Sequence, residues 1–197
     1  RKRKGKLGGK AAGIILAHKI LLPTLERKEP DLEEYIRVPD TWYLNSGVFS
    51  EFLDQNNLHL FHTFKYKDRE AIEREFLGIE EKFRFAVFAP DVIEDFRKML
   101  AEIGEHPIII RSSSLLEDSF GLAFSGKYLS VFLTNRGDIE TRLNDFIIGL
   151  KKVFASTFGP DPILYRRDHG LLDYDERMAM VVQKVVGRRL GDYFFPF

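Results

Sequence analysis

The chain has 197 residues, of which 30 are basic and 30 are acidic, so its formal net charge is zero. Balanced charge provides no overall attraction to nucleic acid or to an anionic membrane, and we expect neither as a partner. The sequence has no cysteine, which excludes disulfides, thiolate metal sites and a cysteine nucleophile. Its apolar stretches are far shorter than the ~20 residues that span a bilayer, and it shows no signal-peptide pattern. We therefore expect a cytoplasmic protein, and the sequence leaves open whether it forms a homo-oligomer.

The chain opens with a basic segment, and residues 1–7 are predicted to be a linker rather than a nucleic-acid or targeting patch. The first residue is arginine rather than methionine, so we expect a fragment of a longer protein. An apolar stretch predicts a helix over 11–22 that ends at Pro23. The charged residues 26–34 then predict a loop or an exposed turn.

A short strand is predicted over 38–44, and it is entered through a turn that contains proline. Asn45 or Ser46 can cap the helix that follows, because both side chains accept hydrogen bonds from backbone N–H groups. Eighteen phenylalanines predict a phenylalanine-rich core. Apolar spacing predicts further helices over 69–83, 90–103 and 138–158, and further strands over 107–110, 128–133 and 178–186. This mixture of elements predicts an α+β or α/β fold.

Lys10 follows two glycines and precedes the first predicted helix. Glycines let backbone N–H groups approach a phosphate, and a lysine adds a mobile positive charge. The segment is not a Walker A loop, because it lacks the four-residue spacer and has Ala11 where a Ser or Thr would hold magnesium. A plain helix start is the other interpretation, and so short a pattern favours it.

Arg111 directly follows the apolar run 107–110, which is typical of a buried strand. A buried guanidinium is costly unless it is paired or faces an open site, and its fork of donors suits a phosphate. One interpretation is therefore an anion contact, in which the hydroxyls of residues 112–114 help to bind the anion or cap the following segment. The other is an internal ion pair with Glu117 or Asp118, and the pattern leaves both open.

Two further patterns contain residue types that are typical of functional sites. Residues 121–127 form a loop of small residues that ends in Lys127, which indicates either a flap over phosphates or a turn into the next strand. His59 and His62 lie three residues apart in an aromatic segment, which predicts a core or surface role rather than a metal site. No metal ligands are predicted within the chain.

Several segments, in order along the chain, carry the motifs of one protein family. The first two are Gly8-Gly9-Lys10-Ala11-Ala12 and Val38-Pro39-Asp40-Thr41-Trp42, beside the family's Gly-Gly-Lys start and its (V/I)P-x-G-(F/W) strand. The others are RSSSLLEDS at 111–119 beside RSSAxxEDS, 123–130 beside SFAGQ(Y/H)(D/E)T, 155–158 with 165–166 beside ASLF…YR, and 180–186 beside VxVQxMV. Together these segments resemble the nucleotide-binding domain of the phosphoenolpyruvate synthase and pyruvate phosphate dikinase family.

The resemblance implies an ATP-grasp fold, in which two lobes clasp ATP. Residues 8–182 would form the first lobe, an α+β unit with a mixed sheet, flanking helices and a subdivision near residue 105. Residues 183–197 would form the hinge and the start of the second lobe.

The resemblance also implies site residues. Lys10 and Arg111 would contact the ATP phosphates and contribute to catalysis by neutralising charge. Gly126, Lys127 and Ser130 would belong to the flap above the phosphates. The hinge would include Gln183, Lys184 and Val186, and the backbone of Lys184 and Val186 would hydrogen-bond the adenine edge. The chain departs from the family pattern at Lys127, where the family has glutamine, and at Leu129, where it has an acid.

The function implied is that of a kinase-like phosphotransferase, which uses ATP to phosphorylate a carrier histidine in the full-length protein. Its partners would be ATP and the carrier-histidine and substrate domains of the same chain. The carboxylates that bind Mg²⁺ are expected beyond the end of this chain, so the fragment alone is predicted to bind ATP weakly and to be inactive. The alternative is a nucleotide-binding regulatory module without phosphotransfer in a multidomain sensor, and a third hypothesis is an interaction domain that has lost nucleotide binding.

Overall fold

The computed structural model describes residues 4–28, 36, 38–114, 126–174 and 178–197. Within these ranges the α-helices are α1 (Gly9–Leu16), α2 (Leu22–Lys28), α3 (Ser46–Gln55), α4 (Arg69–Phe85), α5 (Pro90–Ile103), α6 (Ile139–Ser156) and α7 (Pro160–Asp168). A π-helical turn joins α1 to α2 (Ala17–Leu21), and a 3₁₀ helix follows α3 (Leu58–Tyr66). The strands are β1 (Thr41–Leu44), β2 (Ile108–Ser113), β3 (Ser130–Leu133), β4 (Ala179–Lys184), β5 (Gly187–Leu190) and β6 (Tyr193–Pro196).

Four of the strands form one sheet in the order β1-β4-β2-β3, and β5 pairs with β6 in a separate hairpin. The α+β fold class is confirmed, and in detail each pairing of the described strands is antiparallel rather than mixed. The central strand β2 places Arg111 opposite Val181 of β4 and Ser130 of β3. This register determines which side chains share a face of the sheet.

One face of the sheet is covered by a phenylalanine-rich core, as the composition predicted. Ile108 and Ile110 of β2 and Val182 of β4 are fully buried in it. The largest side chains of this core have less than 2% of their surface exposed: Phe52, Phe83, Phe96, Phe146 and Phe154. Each buried phenylalanine contributes about 1.5–3 kcal/mol of hydrophobic stabilisation. Because strand side chains alternate, Ile109, Arg111 and Ser113 of β2 lie on the opposite face, which we call the polar face.

The predicted helix ends agree with the structure at several positions. Asn45 caps α3, since its Oδ1 accepts a hydrogen bond from the N–H of Gly47 at 2.9 Å. Pro90 is the first residue of α5, and Gly104 ends that helix with a φ of 70°. The long apolar stripe predicted over 138–158 is α6, whose buried face includes Phe146 and Phe154.

The prediction that the first helix ends at Pro23 is wrong. The helical backbone continues through a π-helical turn into α2, which includes Pro23 and extends to Lys28, so part of the predicted loop over 26–34 is helical as well. In that turn the N–H of Leu22 bonds the carbonyl of Ala17, five residues back. A wider turn directly before a proline leaves room for the ring, which would collide with the carbonyl four residues back in a regular α-helix.

No sequence pattern predicted the 3₁₀ helix or the β5–β6 hairpin. His59 and His62 both lie in the 3₁₀ helix, where His59 contacts the carboxylate of Asp54 and the two imidazoles stack at 5.6 Å between centroids. Among the described residues, no helix combines the length and apolarity that a membrane crossing requires.

Candidate functional site

Arg111 is the centre of the polar face. It lies two residues before the end of β2, and its side chain is half-buried rather than enclosed in the core. Its Nη1 donates to Oε1 of Gln183 at 3.5 Å, and Ser130 faces it from β3. The structure therefore brings three predicted site residues, Arg111, Ser130 and Gln183, onto one face of the sheet.

The start of α1 packs against the end of β2 on the same face. The N–H of Ala11 donates to Oγ of Ser113 at 3.0 Å, and the N–H of Gly9 donates to the carbonyl of Ser114 at 3.3 Å. A Cβ on Gly8 would lie 1.6 Å from the carbonyl oxygen of Ser113, so only glycine allows this approach. This contact places the first turn of α1, which carries Lys10, beside the strand that carries Arg111.

These contacts show that the Gly-Gly-Lys segment is a helix start packed on a strand, because β2 uses the backbone donors of Gly9 and Ala11. A phosphate contact by Lys10 stays a prediction. The Ser113 hydroxyl caps the N-terminus of α1, a role that the sequence analysis missed. The pattern gave no signal for it, because the two partners are 102 residues apart.

Gln183 is only 7% exposed, and both ends of its side-chain amide have protein partners. Its Nε2 donates to Oγ1 of Thr41 at 3.2 Å, and Oγ1 of Thr41 donates to the carbonyl of Pro39 at 2.7 Å. Thr41 is thus a further residue of the polar face that the sequence analysis did not single out.

Only part of the predicted flap lies within the described residues. Gly126 adopts a positive φ of 78°, which glycine accepts without steric cost. Nζ of Lys127 lies 5.2 Å from the ring centroid of Tyr165 on α7, a cation–π contact. Residues 121–125, and the acids Glu117 and Asp118 that were considered as ion-pair partners of Arg111, lie outside the described residues.

The predicted hinge, residues 183–186, runs from the end of β4 to the start of the β5–β6 hairpin. The N–H of Lys184 donates to the carbonyl of Asp40 at 3.0 Å, and the carbonyl of Val186 accepts from the N–H of Phe197 at 3.0 Å. The side chain of Lys184 turns away from the polar face, with Nζ 3.0 Å from Oδ2 of Asp40 and 5.6 Å from the ring centroid of Trp42. Neither of these two bonds uses the carbonyl of Lys184 or the N–H of Val186.

The surroundings of this face add two observations. Partial burial raises the pKa of Tyr43, which shares the polar face with Val181 and Arg111.

The described residues hold no group of three or more histidine, aspartate or glutamate side chains placed to bind a metal ion.

Comparison with known proteins gives a consistent result. A family model described as "Pyruvate phosphate dikinase, AMP/ATP-binding domain" matches residues 4–192. A "Probable phosphoenolpyruvate synthase" of Archaeoglobus fulgidus is 28% identical over 188 residues, covering 88% of this chain and 24% of the relative. The phosphoenolpyruvate synthase of Aquifex aeolicus is 24% identical over 172 residues, covering 79% of this chain and 19% of the relative. A rifampicin phosphotransferase of Bacillus cereus is 24% identical over 160 residues, covering 77% of this chain and 17% of the relative. The chain therefore spans about a quarter or less of the length of these curated relatives.

Proposed function

Because the chain belongs to the pyruvate phosphate dikinase AMP/ATP-binding domain family, we propose that its polar face binds ATP as part of a phosphotransferase. In the full-length protein, ATP would phosphorylate a carrier histidine on another domain. The observation that carries the proposal is the placement of the half-buried Arg111 on the polar face, with the start of α1 packed on the same strand. The named relatives are synthases and a phosphotransferase, so a regulatory module without phosphotransfer is not favoured.

Arg111 and Lys10 would bind the phosphates. A guanidinium presents several N–H donors in a fixed plane, and its charge is retained at any physiological pH. In phosphoryl transfer the protein contributes positioning and charge neutralisation more than covalent chemistry. A half-buried arginine is suited to this, because nearby protein excludes part of the water that would otherwise screen its charge.

The flap residues would close over the phosphates from the β3 side. Ser130 is directly opposite Arg111 and is exposed, so its hydroxyl can donate to the same anion. Gly126 and Lys127 lie earlier in this segment, and the contact of Lys127 with Tyr165 would have to be exchanged for a contact with phosphate.

The adenine would lie at the hinge. A purine edge offers an N6 amino donor beside an N1 acceptor, and the carbonyl of Lys184 and the N–H of Val186 are the complementary pair. The N–H of Lys184 and the carbonyl of Val186 are already used within the chain. The adenine would therefore bind with its N6 amino group towards the Lys184 carbonyl and its N1 towards the Val186 N–H.

Mg²⁺ would accompany ATP, but the described residues contain no cluster of carboxylates that could hold it. We propose that the metal ligands lie in other parts of the full-length protein. Without those parts, we expect these 197 residues to bind ATP weakly and not to turn it over.

Calorimetric titration with ATP tests the proposal. Arg111→Ala should weaken ATP binding by about ten- to a hundredfold, because hydrogen bonds from a charged donor to the phosphates are lost. Arg111→Lys keeps the positive charge and should retain part of the affinity. Arg74→Ala, an exposed arginine on α4, is the matched control and should bind like the wild type. Equal affinity of wild type and Arg111→Ala would overturn the phosphate role of Arg111.

A further inference from the structure

We propose that Thr41 and Gln183 are positioning residues that hold the Arg111 guanidinium in place for an anionic ligand. The inference rests on the proposed function, because it assigns to Arg111 the contact with the ATP phosphates. Neither Thr41 nor the Gln183 side chain needs to touch the nucleotide for this role.

The three side chains are linked by hydrogen bonds that all run in the same donor-to-acceptor direction, from Arg111 towards Thr41. Arg111 donates to Oε1 of Gln183 at 3.5 Å, and Nε2 of Gln183 donates to Oγ1 of Thr41 at 3.2 Å. The Thr41 hydroxyl then donates to the carbonyl of Pro39 at 2.7 Å. Because a carbonyl can only accept, the last bond fixes the hydroxyl as a donor and leaves its oxygen to accept from Gln183. The amide orientation of Gln183 follows, with its oxygen towards Arg111.

This series of hydrogen bonds crosses three neighbouring strands. Thr41 and Gln183 are direct cross-strand partners of β1 and β4, and Arg111 on β2 lies diagonally from Gln183, whose direct partner there is Ile109. Long side chains bridge such a diagonal. Burial of Gln183 keeps water from competing for its amide, and linked hydrogen bonds polarise one another, so each bond supports the next.

A neutral partner is the chemically useful choice for an arginine that must bind an anion. A carboxylate at position 183 would neutralise the guanidinium and compete with the phosphate. The amide oxygen instead uses one of the five N–H donors and leaves the positive charge available. Restricting the side chain before the ligand arrives also lowers the entropy cost of binding.

Thr41 is linked to Arg111 only through Gln183 among the described side chains. Substitution of Thr41 should therefore affect ATP binding from a distance, and only through Arg111.

The test is a calorimetric comparison of ATP with adenosine, which lacks phosphates. Thr41→Val keeps the shape and removes the hydroxyl, and it should weaken ATP binding by about three- to tenfold with adenosine binding unchanged. Thr41→Ser should restore the wild-type affinity, and Gln183→Glu should weaken ATP binding because its carboxylate neutralises Arg111. In an Arg111→Ala background, Thr41→Val should have no further effect, whereas a general loss of structure would persist there.

The outcomes separate this inference from the proposed function. Loss of ATP affinity in Arg111→Ala but not in Thr41→Val or Gln183→Glu overturns the positioning role and leaves the function standing. An equal loss for ATP and adenosine, or the same loss in the Arg111→Ala background, also overturns it. Absence of ATP binding by the wild-type chain and by the full-length protein overturns both.

Discussion

The hydroxyl oxygen of Ser113 accepts a hydrogen bond from the N–H of Ala11 at 3.0 Å, and both residues are buried. The N-cap residue of α1, Gly8, has no side chain with which to cap its own helix. A strand residue from far along the chain therefore supplies the cap. The start of α1 and the end of β2, which carry Lys10 and Arg111, are joined as one unit by this bond.

Ser113→Ala should lower the free energy of unfolding by about 1–3 kcal/mol, because it leaves the buried N–H of Ala11 without an acceptor. Urea denaturation measures the change. Ser50→Ala is the matched control, since the Ser50 hydroxyl donates to the carbonyl of Ser46 in the preceding turn of its own helix, and it should change stability by less than about 0.5 kcal/mol. Equal stabilities of the two variants would show that the cap contributes nothing.

Gly8→Ala should be more damaging, because the new Cβ would lie 1.6 Å from the backbone oxygen of Ser113. Neither backbone can move without breaking the cap, so we expect a loss of about 3 kcal/mol or more. Gly13→Ala, in the same helix, meets nothing within 4 Å and should raise stability by about 0.5–1 kcal/mol through helix propensity. Thermal denaturation of both variants compares them, and similar effects of the two substitutions would contradict the close approach of α1 to β2.

Much of the fold followed from local sequence patterns. The apolar stripe of α6, the Pro90 start of α5 and the Asn45 cap of α3 each depend on residues within a few positions, so the sequence alone predicted them. The prediction at Pro23 was wrong because the rule that proline ends a helix assumes regular α-helical geometry. The backbone before Pro23 is a π-helical turn instead.

The candidate site was harder to predict in detail. Arg111 was singled out by its position after an apolar strand, and Ser130 and Gln183 through a resemblance. Their shared face depends on the register of three strands, which no local pattern encodes. Thr41 and Ser113 act through partners more than 100 residues away, and their residue types are ordinary for a strand. The β5 strand was missed because three of its four residues are exposed, which gives no alternation of apolar and polar positions.

Asn135 fixes the turn that leads from α5 into β2. Its Nδ2 donates to the carbonyls of Gly104 at 2.7 Å and His106 at 2.8 Å, and its backbone has a φ of 50°. Asn135→Ala should cost about 2–4 kcal/mol, because two partly buried hydrogen bonds are lost and alanine is strained at positive φ.

Asn135→Gly separates these two causes. Glycine loses the same hydrogen bonds but adopts positive φ without penalty, so this variant should be more stable than Asn135→Ala by up to about 1 kcal/mol. Chemical denaturation of both variants gives the comparison. An alanine variant as stable as the glycine variant would contradict the backbone contribution.

Glu140 connects α6 to α5 through Arg97, whose Nε lies 2.9 Å from Oε1 and whose Nη2 lies 3.2 Å from Oε2. The hydrogen bonds from Arg97 lower the pKa of Glu140 below its usual value. A carboxyl whose pKa is lower in the folded than in the unfolded chain stabilises the fold above the unfolded pKa, and this contribution is lost as the pH falls through the folded pKa. Glu140→Gln should therefore be less stable than the wild type at pH 7, by the small amount typical of exposed pairs, and the gap should close below a pH of about 4. Urea denaturation across this pH range checks the prediction, with Glu102→Gln, an exposed glutamate on α5, as the matched control. A stability gap that persists or widens in acid would rule out the ion pair as its cause.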